Sequence, residues 1–171
     1  MAGIELLIDG FDRIQQLVHG AVEGLSDEQL AYRVDGGANT IGWLVWHLTR
    51  IQDDHLAGVA QTGQVWTDDG WADRFGLPFD ATATGYGQDS DDVGAVRVSA
   101  QLLTGYHDAV HDRAGAYLHG LGDPDLDQVV DERWDPPVTL GVRLVSVLGD
   151  ALEHVGQAAF IRGVMERSAG S

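Results

Sequence analysis

The chain contains no cysteine. That excludes a disulfide framework, a thiolate zinc site and a cysteine nucleophile together, and it restricts any metal site to imidazole, carboxylate and water. Lysine is missing as well: the 10 basic residues are all arginine, against 27 acidic ones, for a formal net charge of −17. A surface of that sign repels phosphate backbones and anionic lipid headgroups, which argues against nucleic-acid and membrane partners and leaves a small-molecule substrate. Absent lysine, with Gly, Ala, Asp and Val in abundance, also points to a GC-rich source, because lysine codons are AT-rich. No run approaches the roughly 18 apolar residues that a membrane-spanning helix needs. The stretch MAGIELLIDGFDR has no basic leader and reads as an amphipathic helix rather than a signal peptide, so a cytoplasmic protein is expected.

What is present is enough for one packed domain over residues 1–171: hydrophobic residues make up 44% of the chain. Residues 4–23 place Ile4, Leu7, Ile8, Phe11, Ile14, Leu17, Val18 and Val22 at intervals of three and four, the apolar stripe of an amphipathic helix. Gly24 ends it, and Ser26 with Gln29 forms a capping box for a short turn. A second helix is predicted from Thr40 to Ala60, with Asn39 or Thr40 as its cap and Ile41, Leu44, Val45, Leu48, Ile51 and Val59 inside. Residues 61–92 read as a long loop with a short helix around WADRF. A third helix is expected from Asp92 to His119, then a polar crossover closed by Pro136 and Pro137, then a fourth helix from Thr139 to Arg167. Four long helices, with a long loop between the second and third, predict an all-α, antiparallel four-helix bundle.

The fourth helix carries an anomaly. At about 100° per residue, His154 falls within the apolar stripe of Leu140, Ala151, Ala158 and Ile161, with Asp150 on its flank one turn earlier and Gln157 about one turn later. A carboxylate facing a core is costly unless it is paired, hydrogen-bonded or metal-bound. Two readings stand at this point: Asp150 pairs with His154 or a nearby Arg, or the two grip an ion. His47, embedded in the apolar IGWLVWHL of the second helix, supplies the third ligand that a bundle-core metal site requires. Two imidazoles and one carboxylate leave positions open for water or substrate, as in catalytic zinc and non-haem iron sites. His107 and His111 form a rival pair four apart on the third helix, read as a flank with His107 turned inward, within reach of the site's rim as a proton carrier. His55, two turns beyond His47, reads as a core or supporting residue. No phosphate loop or Gly-x-Ser-x-Gly elbow is present.

The block NTIGWLVWHL, the later TLGVRLVSVLGDALEHVGQ and the four-helix layout resemble the DinB-like superfamily, with its YfiT-like metal-dependent proteins and mycothiol- and bacillithiol-dependent S-transferases. The resemblance covers nearly the whole chain. It implies a divalent metal held by a histidine of the second helix and two residues four apart in the fourth, which here are His47, Asp150 and His154. Gln157 would orient one of them. The family most often has histidine where this chain has Asp150, although a carboxylate also occurs there, as in relatives of mycothiol-dependent maleylpyruvate isomerase. The implied metal is zinc first, with nickel, manganese or iron behind it. The implied activity is thiol S-transfer with a low-molecular-weight thiol such as mycothiol; no catalytic acid or base is assigned. A metal-dependent hydrolase on the same site and a non-enzymatic binding or dimerisation module are the alternatives, and a homodimer fits each of them.

Overall fold

A computed structural model describes residues 2–169; residues 1, 170 and 171 lie outside it. Helix α1 spans Gly3–Val22 and buries Ile4, Leu7, Phe11, Ile14, Val18 and Val22. Leu17, expected inside, is 47% exposed instead; it lies eleven residues from Leu6, which is also exposed, so the two share an outward line on the helix. Helix α2 (Asp27–Leu30) is a single turn closed by the Ser26–Gln29 capping box. Helix α3 (Ile41–Ala60) is capped by Thr40, whose side chain accepts from the Trp43 backbone N–H, and ends at Gln61 in the left-handed conformation. Its first ten residues are all buried, because neighbours cover it on nearly every side.

The connection after α3 holds two short helices, α4 (Val65–Asp68) and α5 (Trp71–Phe75), and a third, α6 (Ser90–Ala95). The third long helix therefore does not begin at Asp92. Val96 and Val98 are buried with Arg97 exposed between them, the period-two pattern of an extended strand, and α7 (Ala100–Leu118) starts only after the Ser99 hydroxyl caps the Leu102 N–H. The polar crossover that follows is more ordered than a loop. It forms a 3₁₀ turn over Asp123–Asp127 and two short antiparallel strands, β1 (Val129–Asp131) and β2 (Val138–Thr139). The last element, α8 (Leu140–Ala169), buries Leu140, Leu144, Val147, Ala151, Ala158, Ile161 and Met165, as expected from its stripe.

The four long helices pack around one core. Thr49 and Asp53 of α3 meet His107 and Tyr106 of α7, while Ala60 shares a groove with Tyr117, so α3 and α7 run side by side in the same direction. Helix α8 runs antiparallel to α3 and parallel to α1, where Leu148 packs on Gly10 and Arg162 donates to the carbonyls of Gly20 and Glu23. Helices α1 and α7 are antiparallel, tied by His111–Asp12 and His19–Asp108 contacts. Two parallel neighbours cannot be joined by a tight turn; the chain must travel back along the bundle, and residues 61–99 make that journey. Among the described residues, no helix is long and apolar enough to cross a membrane.

Candidate metal centre

Helices α3 and α8 cross so that His47 faces Asp150 and His154. One potential ligand atom from each of the three lies within 4.8 Å of the others. The two imidazole rings meet edge to face with centroids 4.9 Å apart. His154 Nε2 stands 3.6 Å from Asp150 Oδ1. That is too long for a hydrogen bond and close to the roughly 3.3 Å between two ligands bound tetrahedrally at about 2.0–2.1 Å to one ion. Asp150 Oδ2 is shielded from solvent and has no hydrogen-bond partner.

Each histidine is anchored through its other nitrogen. His47 Nδ1 donates to the Thr84 carbonyl at 2.6 Å, which leaves Nε2 as a free lone pair. His154 Nδ1 lies 3.2 Å from Gln157 Oε1, which sets the same tautomer. Metal-binding histidines are held in this way, with the second ring N–H given to a carbonyl or amide oxygen. Two imidazole nitrogens left free by these contacts, grouped with a carboxylate that keeps an unpartnered oxygen, are a donor set that a divalent ion fits. Burial lowers the His47 imidazole below its usual range, and the neighbouring Asp150 carboxylate raises that of His154.

The long connection forms one wall. Trp43, one turn before His47, stacks on its ring at 4.6 Å and 14°, and Trp43 Nε1 donates to Gln88 Oε1 at 2.7 Å. Gly85 lies against the imidazole: with φ +96, a Cβ there would come within 2.7 Å of His47 Nδ1 and 3.1 Å of both Trp43 and Trp46. Only glycine tolerates both the left-handed backbone and that approach. The segment is fixed from below by Arg50, whose Nε donates to the Ala83 carbonyl. Arg50 is buried against Asp53, Gln64 and Tyr106, and Asp53 in turn accepts from the backbone N–H groups of Val65 and Trp66, closing the start of α4.

The remaining candidates fall in different places. Gln157 touches His154. His55 is half-buried and lines a cleft between α3 and the β1–β2 region. His107 is fully buried beside Thr49, and no hydrogen bond links it to the His47 group; its Nε2 has no partner. His111 is not a solvated bystander, since it pairs with Asp12 across to α1. Thr84, Gly85 and Trp43 were not singled out in the sequence. A backbone carbonyl has no residue signature, but the Gly85 and Gly87 pair in TGYGQ marks a tight turn, and Trp43 shares the face of His47 by its spacing of four.

A family model described as the DinB superfamily matches residues 10–158. The chain belongs to the DinB superfamily. A crystal structure described as the conserved protein of locus from Enterococcus faecalis is similar to it, with a TM-score of 0.87 and 26% identity over 95% of this chain and 96% of that one. No curated protein matches the chain.

Proposed function

We propose that this DinB-superfamily protein is a metal-dependent S-transferase that joins a low-molecular-weight thiol of the mycothiol type to a small electrophile. The observation that carries this reading is the convergence of ligand atoms from His47, Asp150 and His154 within 4.8 Å of one another, in a chain whose own sequence contains no thiol. His47, Asp150 and His154 would hold the ion, with zinc the first choice for two nitrogens and one oxygen. A bound divalent ion lowers the pKa of a thiol and so supplies thiolate at neutral pH.

The protein's residues do the rest. The Thr84 carbonyl and Gln157 keep the two rings in one orientation. Trp43 and Gly85 cover the His47 ring and exclude water from that side. With a divalent ion held there, the single negative charge of Asp150 would leave the site net positive, which suits an anionic sulfur. In the transfer, the thiol proton leaves to solvent and sulfur bonds to the electrophilic carbon. The leaving group departs with the electron pair of the bond that breaks.

The test is elemental analysis of protein purified without an affinity tag, beside His47→Ala. About one divalent metal per chain in the wild type, lost in a variant with unchanged circular dichroism, is the expected result; mycothiol consumption with an aryl halide should follow the metal. Metal-free protein in both samples after reconstitution would overturn the reading.

A further inference from the structure

A cleft of about 620 Å³ opens between α3 and the β1–β2 region, lined by Asp54, His55, Asp131, Glu132, Arg133 and Arg143 among others. It lies along the same side of α8 as the triad. Arg143 and Asp150 are seven residues apart, so they face within about 20° of each other and their Cα atoms are separated by about 10 Å along the axis. His55 lines the cleft from the α3 side, and burial holds its imidazole below the usual range.

The charges in this cleft are unequally committed. Asp131 is satisfied by Arg133, which gives it Nε at 2.9 Å, Nη2 at 2.8 Å and its backbone N–H at 3.1 Å. Arg143 adds one longer contact, Nη2 to Asp131 Oδ2 at 3.2 Å. Asp54 accepts from Gln64. Among the described residues, the other N–H groups of Arg143 make no hydrogen bond, although its side chain is only 21% exposed. Arg143 thus keeps most of its guanidinium N–H groups uncommitted in the wall of this cleft, about two helical turns before Asp150.

We propose that Arg143 receives the carboxylate of the substrate, so that the small molecule handled at the triad is a carboxylate-bearing one lying along α8. The inference rests on the metal-site reading above and gives that site a substrate class. A planar guanidinium with free N–H groups matches a carboxylate. The acidic side chains around it favour a single negative charge over a phosphate dianion.

The experiment uses cobalt(II)-loaded full-length protein and two probes of equal length, 6-mercaptohexanoate and 6-mercapto-1-hexanol, followed by the sulfur-to-cobalt charge-transfer band. The carboxylate probe should bind about tenfold more tightly than the alcohol, the effect of one charge-assisted hydrogen-bonded pair. Against a net charge of −17, nonspecific electrostatics would give the opposite order. Arg143→Gln should bind both probes alike while retaining cobalt, and Arg143→Lys should recover part of the preference. Equal affinities in the wild type, or a preference that survives in Arg143→Gln, would overturn the proposal. Failure of the wild type to hold cobalt would overturn the metal-site reading and this inference with it, whereas cobalt-loaded protein that shows no band with either probe would overturn the inference and leave the metal site standing.

Discussion

His47 and His154 reach the same point from opposite helices, and each is steered by a neighbour that never touches the ligand position. Gln157 is the more accessible of these neighbours. Gln157→Leu should leave the fold intact and weaken metal affinity by about tenfold or more, read by competition with a chromogenic chelator, because the His154 ring loses the acceptor that orients it. His107 makes a different statement at the same scale. Thr49 donates its hydroxyl to the Val45 carbonyl and so accepts from His107 Nδ1, which leaves Nε2 a bare lone pair in the core. Burial pushes this imidazole down to about 3. A histidine in the unfolded chain takes up a proton near pH 6.5, so between about 6.5 and 3 the unfolded state holds more protons and stability falls as pH falls. His107→Gln should shrink the loss of unfolding free energy between pH 7 and pH 4 by about 2 kcal/mol, measured by urea denaturation at both values. An unchanged loss would remove His107 as the cause.

At the scale of elements, α3 carries two systems on one helix: His47 with Trp43 toward α8, and Arg50 with Asp53 toward α7 and the long connection. Asp53 closes the start of α4, accepts from Tyr106 and sits beside Arg50, which holds Ala83 next to the Thr84 carbonyl. Asp53→Ala leaves the Arg50 charge buried without its acid and should cost about 3 kcal/mol of stability. It should also lower metal affinity, by loosening the carbonyl that orients His47; a variant that loses stability and keeps wild-type affinity would separate the two systems. The long helices were readable because their apolar stripes are regular. The true start of α7 was not, since Val96, seven residues before Leu103, falls on the helical stripe, and only its alternation with Val98 and the N-cap Ser99 mark the extended segment. The Arg50–Asp53 pair could have been read as two charges three apart inside an apolar helix, but its partners lie in a connection that has no periodicity to reveal where it runs.

At the scale of the whole molecule, the triad was accessible from spacing and from a histidine in an apolar block, whereas the wall over it arises from the crossover that joins two parallel helices. The surface holds one more feature of this size. On α8, Val142, Val145, Leu152 and Phe160 are exposed by 58, 60, 47 and 66%, and of the exposed residues from Val142 to Phe160 only Glu153 is charged. Val145 and Phe160, like Gly149 and Gly156, stand at equal distances on either side of the Leu152–Glu153 step. Two copies packed antiparallel about that step would place glycine against glycine, valine against phenylalanine and Leu152 against Glu153, an isologous contact on a mostly apolar face of a strongly acidic molecule. Light scattering should therefore find a dimer, and Leu152→Glu a folded monomer; a monomeric wild type at high concentration would sink the prediction.

The placement of the triad on α3 and α8 also sets the topology of the chain in a second way. His47 and Asp150 are about a hundred residues apart, so an ion gripped by both would close a long loop of the unfolded chain, much as a cystine does in proteins that have one. In this cysteine-free chain such an ion would act as a reversible staple, and its occupancy and the stability of the fold would become one linked quantity.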